Sequence, residues 1–199
     1  GFTDKWSFSS TVKAKDAGTI AYLKGNFRNP MNLHITRDEW KTAECLTDLN
    51  RQQDGYLWGD VQMVRWTSYD GTPLKGLLYT PESLDASRKY PMMIYFYEKN
   101  SETLYNYIQP APSRSIINIP FYVSRGYVVF VPDIVYKDGH PGESAYNCIC
   151  AGAEALCEAY PSADRSRMAI QGQSWGGYQT AWLITRTNMF AAAGSGAPV

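Results

Sequence analysis

Histidine is almost missing from this sequence. His34 and His140 are the only two, and both come before the serine-centred stretch M168-AIQGQSWGGYQT-A181. Net charge is missing as well: nineteen basic residues balance nineteen acidic ones, so no net field recruits nucleic acid or an anionic membrane surface. Long hydrophobic runs are absent. Stretches such as Tyr127 to Val131 fall far short of the ~20 residues a membrane-spanning helix needs. The opening residues GFTDKWSFSS hold no signal-peptide core and read as the middle of a longer chain, consistent with a removed signal or an upstream region.

Cysteine is scarce too. Cys148, Cys150 and Cys157 fall in one expected helix, where Cys150 and Cys157 share a face two turns apart, roughly 10 Å along the axis. That is too far for a disulfide, and Cys-x-Cys on a helix suits zinc poorly even with His140 nearby. These thiols, with Cys45, read as small buried apolar residues, and no metal is expected.

What is present is a core-forming composition, 44% hydrophobic and 19% charged, which excludes a disordered chain. Up to residue 58, four short strands are expected at Trp6–Val12, Thr19–Lys24, Asn32–Thr36 and Thr42–Leu46, separated by turn residues. Such an antiparallel meander is also what one propeller blade looks like. From Gly59 the pattern changes. Val61–Ser68 and Lys75–Thr80 form an expected hairpin, and Pro91–Tyr97 is a continuous apolar run of the kind buried on both faces of a sheet. A helix is expected over Ser113–Arg125, stopped by Gly126, then a strand over Tyr127–Pro132. A helix over Ser144–Tyr160 carries Ile149, Ala153, Leu156 and Tyr160 on one face. Strand Met168–Gln171 and helix Trp175–Thr187 follow, and Phe190 to Val199 is expected to be the start of one more strand. Strands alternating with helices imply an α/β fold, a mostly parallel sheet covered on both faces with the hairpin as its antiparallel edge.

Gly172-Gln173-Ser174-Trp175-Gly176 fits G-x-S-x-G, a pattern that gains force from its place between an expected strand and an expected helix. A nucleophile on such an elbow sits in a strained backbone, so its neighbours two residues away must lack side chains; Gly172 and Gly176 do, and Gly177 permits close helix packing. The helix turns its free amides and positive dipole end toward the serine, which favours a developing oxyanion, and the amide of Trp175 is the expected donor. An ordinary turn serine is the competing reading, disfavoured by strand, elbow and helix in register.

Those residues, with Tyr178, resemble the nucleophile elbow of the prolyl oligopeptidase family of serine peptidases, in its dipeptidyl-peptidase-like branch. Val64-Arg65-Trp66-Thr67-Ser68-Tyr69-Asp70-Gly71, Lys89-Tyr90-Pro91, Ser124-Arg125-Gly126-Tyr127, Ala163 to Met168 and Ala191 to Val199 resemble other family segments in order and spacing. The resemblance covers essentially the whole chain. It implies that residues 1–58 are the last part of a β-propeller domain and residues 59–199 the first part of an α/β-hydrolase catalytic domain, whose later strands lie beyond Val199. It implies that the hydroxyl of Tyr97 completes the oxyanion hole, with Tyr95 the alternative. The family usually continues with glycine and proline after this tyrosine, where Glu98-Lys99-Asn100 stand here.

A serine nucleophile needs a base and an orienting acid, and α/β-hydrolases place them in the order Ser, Asp or Glu, His. No histidine follows Ser174, so the triad acid and histidine are expected beyond Val199 and the chain by itself is expected to be inactive. Glu143, Glu154, Asp164 and Asp133 all precede the serine, and Asp133 is expected to have a structural hydrogen-bonding role. The expected activity is hydrolysis of short peptides through an acyl-enzyme on Ser174, with no cofactor. An acyl esterase on the same fold, or a non-catalytic scaffold, are the alternatives. The resemblance favours a periplasmic or secreted setting over the cytoplasm and leaves the oligomeric state open.

Overall fold

The computed structural model describes residues 5–113 and 116–199. The chain divides into two compact units: one runs to Tyr56 and includes Tyr105–Gln109, and the other holds Leu57–Leu104 and Pro110–Val199.

The first unit is a four-stranded antiparallel sheet of β1 (Ser7–Lys13), β2 (Ile20–Gly25), β3 (Asn32–Thr36) and β4 (Glu44–Cys45), in that spatial order. Its turns are set by side chains that imitate backbone acceptors. Asn26 Oδ1 accepts from the amides of Arg28 (3.0 Å) and Asn29 (2.9 Å) after β2. Asp38 accepts from the amide of Thr42 (2.9 Å) and from the hydroxyls of Thr36 (3.0 Å) and Thr42 (2.6 Å). This network holds residues 38–42 in a turn with Trp40 at φ 73°, so the strand expected over Thr42–Leu46 shrinks to Glu44–Cys45. Tyr22, Phe27 and Ile35 are buried, and the Tyr22 ring stacks on His34 at 5.5 Å and meets Trp40 at 5.0 Å. Residues 105–109 contribute two bonds: Tyr107 Oη donates to Gln53 Oε1 (2.6 Å), and Ser7 Oγ donates to Asn106 Oδ1 (2.9 Å).

The second unit is a six-stranded mixed sheet with helices. Its elements are β5 (Asp60–Thr67), β6 (Pro73–Thr80), β7 (Tyr90–Tyr95), α1 (Ile119–Ser124), β8 (Val128–Pro132), α2 (Pro141–Ala159), β9 (Ala163–Gln173), α3 (Trp175–Ile184) and β10 (Ala192–Gly196). The spatial order is β10-β9-β7-β8-β6-β5. The first four of these are parallel, and the β5–β6 hairpin joins antiparallel through β6. Alternation across the pleat sorts the side chains. Met92, Ile94, Phe96, Val128 and Phe130 join one apolar cluster with Ile149, Ala153 and Leu156 of α2 and Leu183 of α3. Val129 and Val131, one residue out of phase, are equally buried but lie outside that cluster. Right-handed crossovers put α1 on their face, opposite α2 and α3.

Two close contacts seat α2. Trp66 Nε1 donates to the carbonyl of Cys148 at 3.0 Å, and a Cβ on Gly152 would come within 2.9 Å of the Phe130 and Trp66 rings. Cys148 and Cys150 are buried, Cys157 is half-buried and the free Cys45 is exposed, which corrects the expectation of four packed thiols. Burial pushes the Cys150 thiol up to about 12 and raises Cys148 and Cys157, so the helical three are unreactive apolar filling. Among the described residues no group of His, Cys, Asp and Glu is arranged to hold a metal ion, and no helix is long and apolar enough to cross a membrane.

The helix expected over Ser113–Arg125 is the largest difference from the sequence reading. It covers only Ile119–Ser124, capped by Asn118 Oδ1 accepting from Phe121 N, with Pro120 in its first turn; Arg114 and Ser115 lie outside the described residues. Gly126 stops it at φ 81°, as expected. Strand β9 is longer than the expected Met168–Gln171. It begins at Ala163 with a register irregularity before Met168, where Asp164 accepts from Ser166 N (2.9 Å), Ser166 Oγ (2.7 Å) and Arg167 Nε (2.6 Å).

Candidate active site

The parallel strands β7, β8 and β9 end at one edge of the sheet, where an α/β fold collects ligands. Ser174 stands there, between β9 and α3. Its backbone is at φ 56°, ψ −116°, a conformation that costs a non-glycine residue about 1–3 kcal/mol and persists only where the surroundings impose it. The surroundings are close-packed backbone. A Cβ on Gly172 would fall 2.2 Å from the carbonyl oxygen of Gly176, and one on Gly176 would fall 2.5 Å from that of Phe96. A Cβ on Gly177 would fall 2.5 Å from the carbonyl oxygen of Gly196. The amide of Ser174 donates to that same Gly196 carbonyl at 2.8 Å, so β10 ties the turn down on its far side.

Ser174 is half-buried, and its hydroxyl makes no hydrogen bond among the described residues. An ordinary turn serine would use its side chain to cap the helix; this one does not. Trp175 opens α3, so its N–H has no acceptor within the helix and is available at the elbow.

Tyr97 lies two residues beyond the end of β7, which stops at Tyr95 rather than continuing to Tyr97 as expected. Its side chain is 43% exposed, and its hydroxyl has no partner among the described residues. Tyr95 is half-buried, with its phenol raised by burial and then by the neighbouring Tyr97. The elbow packs directly on this turn, because the Phe96 carbonyl is the group that Gly176 must clear.

The segment Glu98-Lys99-Asn100 is fastened from β8. Asp133, buried at the carboxyl end of that strand, accepts from the amides of Asn100 (2.7 Å) and Ser101 (2.9 Å) and from the Ser101 hydroxyl. Ile134 N donates to the Glu98 carbonyl at 2.8 Å. The structural role expected of Asp133 is therefore specific: it fixes the loop that follows Tyr97.

Two residues that sequence reasoning passed over complete the picture. Tyr136 Oη donates to the Tyr97 carbonyl at 2.9 Å and accepts from Trp175 Nε1 at 2.9 Å. Gln179, with no exposed surface, donates from Nε2 to the same carbonyl at 3.1 Å and also to Tyr136 Oη. Burial pushes the Tyr136 phenol well above its ordinary value, so it stays protonated and able to donate. The only advance signal was Tyr136 in the loop after a buried strand, at the edge where sites form.

Neither histidine pairs with Ser174 among the described residues. His34 belongs to β3 of the other unit, and His140 is exposed, 3.4 Å from the Glu143 carboxylate at the start of α2.

Residues 112–199 match the model of the prolyl oligopeptidase family. Among curated proteins the chain is similar to dipeptidyl peptidase 8 of Mus musculus, 29% identical over 182 residues; these cover 84% of this chain and 19% of that protein. An acylaminoacyl peptidase solved in complex with Z-Gly-Gly-Phe-chloromethyl ketone shares the fold at TM-score 0.73 and 22% identity, covering 97% of this chain and 31% of that one. The acylaminoacyl peptidase of Pyrococcus horikoshii does so at TM-score 0.71 and 20% identity, covering 96% and 31%. The chain thus spans about a fifth of the length of the curated relative it matches.

Proposed function

Starting from a chain related to the peptidases of the prolyl oligopeptidase family, we propose that it carries the nucleophile and the oxyanion donors of a serine peptidase. The observation that carries this reading is Ser174 held at φ 56° between β9 and α3, its hydroxyl unengaged and its glycine neighbours in backbone contact.

In this mechanism Ser174 Oγ attacks the carbonyl carbon of a peptide bond while a base takes its proton. The carbonyl oxygen becomes an oxyanion that accepts from the Trp175 amide and the Tyr97 hydroxyl. Collapse of the tetrahedral species expels the amine, protonated by the same base acting as acid, and leaves an acyl-enzyme on Ser174. Water attacks the acyl carbon in the same way and frees the serine. Each oxyanion donor contributes about 10²–10³ to kcat, since the charge forms only along the reaction path.

The base and its orienting acid are assigned to sequence following Val199, in the order Ser, Asp, His; both histidines of this chain precede Ser174. Residues 59–199 are read as the first part of an α/β-hydrolase domain, and the four-stranded sheet within residues 1–58 as the last blade of a propeller. By resemblance to the family, whose propeller restricts access, short peptides are the proposed substrates. The chemistry in this reading calls on no metal or organic cofactor.

Fluorophosphonate labelling of the full-length protein beside its Ser174→Ala variant tests the assignment. Labelling of the wild type and none of the variant is expected; label that persists after the substitution rules Ser174 out as the nucleophile.

A further inference from the structure

We infer that Tyr136, with Gln179, is a positioning residue that sets both oxyanion donors at once; this rests on the assignment of Ser174, Trp175 and Tyr97 above. Tyr97 is the kind of residue whose aim has to be supplied from outside. It has left β7, so no strand ladder fixes its backbone, and its side chain has no hydrogen-bond partner of its own among the described residues. What fixes it is its carbonyl, which accepts from Tyr136 Oη at 2.9 Å and Gln179 Nε2 at 3.1 Å. Two donors on one carbonyl hold the peptide plane, and with it the Cα from which the phenol extends.

The same Tyr136 oxygen accepts from Trp175 Nε1 at 2.9 Å, and the Trp175 indole is further held between the Tyr136 ring (5.8 Å, edge-on) and the Tyr178 ring (5.0 Å, stacked). Trp175 follows the nucleophile, and its amide is the other oxyanion donor. One hydroxyl therefore joins the turn that bears Tyr97 to the first residue of α3, using its single proton and both lone pairs. The loop that carries Tyr136 is itself fixed to the Tyr97 turn through Ile134 and Asp133.

Gln179 supports the reading by what it gives up. Its Oε1 is buried and has no hydrogen-bond partner among the described residues, so the amide makes its bonds through Nε2. Turning the amide over would satisfy that oxygen through Tyr136 only by withdrawing both donors from the Tyr97 carbonyl and the phenol. The observed orientation favours the carbonyl of Tyr97. Displacements of about 1 Å at such donors are enough to cost about a hundredfold in rate.

The test is a double-mutant cycle in the full-length enzyme. Tyr97→Phe, Tyr136→Phe and the double variant are compared on a peptide p-nitroanilide that the wild type turns over. Tyr136→Phe is expected to lower kcat about tenfold or more with KM within about threefold, because only the charged intermediate feels the donors. Tyr97→Phe should then cost several-fold less in the Tyr136→Phe background than in the wild type. A merely structural Tyr136 lowers the amount of folded enzyme and leaves the two effects multiplicative; that result, or an unchanged kcat, overturns the inference. Should Tyr136→Phe not fold, Gln179→Met removes the second donor while keeping the phenol, and the same non-additivity with Tyr97→Phe is required of it. If Ser174→Ala still labels, or Tyr97→Phe alone leaves kcat intact, the underlying site assignment falls and this inference with it. If both behave as expected and the cycle is additive, the site assignment stands and only the role of Tyr136 is lost.

Discussion

In the α/β unit Leu77, Ile94, Phe96, Val129, Phe130, Ile149 and Leu183 have no exposed surface, whereas the four-stranded unit buries only Tyr22, Phe27 and Ile35 of its described hydrophobic residues. The first is held by apolar burial, about 1.5–3 kcal/mol for each large side chain. The second leans on side-chain acceptors, Asn26 and Asp38 in its turns, each bond contributing about 1 kcal/mol. The difference matters for the site. A strained Ser174 needs a surrounding that does not yield, and the dense sheet of the α/β unit is such a surrounding.

The sharpest way to break this comparison is at the elbow. Gly172→Ala sets a methyl 2.2 Å from a carbonyl that is itself part of the helix start, so neither side can step back. We expect a loss of at least about 3 kcal/mol in urea unfolding and no labelling of Ser174. Near-native stability with native labelling would mean the backbone contact is not what imposes the strain.

Next comes Tyr22→Ala, which removes the ring that His34 and Trp40 pack against. The expected cost is about 3 kcal/mol, confined to the four-stranded unit. Amide exchange should speed up across Ile20–Gly25 and stay slow across Val128–Pro132. An equal loss in both strands would show one cooperative block, and the contrast between the units would be wrong.

The smallest effects are in pH. Burial first, then Lys24, hold the folded His34 below its ordinary value. The unfolded chain therefore binds the proton first, and the contribution of His34 is complete above about 6.5 and fades as pH falls through that window. Asp164 is held down to about 2, chiefly by the Ser166 hydroxyl and then by Arg167. Its contribution is complete above about 3.9 and is lost only as pH falls toward 2. Acidification from pH 7 to 5 should thus lower the protection factors of β2 and β3, taken against the intrinsic rate at each pH, while leaving those of β9 level, and His34→Phe should remove that step. Protection in β2 that is level from pH 7 to 5 would contradict the assignment.

Much of this was legible in the sequence, for reasons that differ by element. Strand β8 announces itself because all five residues are apolar and buried, and α2 through the spacing of Ile149, Ala153 and Leu156. The elbow is legible because glycine–serine–glycine spacing is a local steric requirement. The start of α1 is not where the sequence suggests although Asn118 and Pro120 mark it; the pair Ile116-Ile117 just ahead of Asn118 reads as part of the same apolar face and masks the cap. The partners of Tyr97 were out of reach for a different reason. Tyr136 is 39 residues from it and Gln179 is 82, and a lone phenol or amide has no period to betray which carbonyl it will meet.

Strand β7 lies between β8 and β9, yet β9 follows it in the chain only after β8 and α2. During translation at roughly 5–20 residues per second, the 77 residues from Glu98 to Ser174 take roughly 4 to 15 s to emerge. Through that interval β7 offers a bare apolar edge to any neighbouring nascent chain, and β9 must reach it before a foreign strand does. Ser174 follows directly on the strand that closes this edge. The strained turn at Ser174 therefore cannot form until β9 has joined the sheet, because the backbone contacts that impose it belong to β9, β10 and α3.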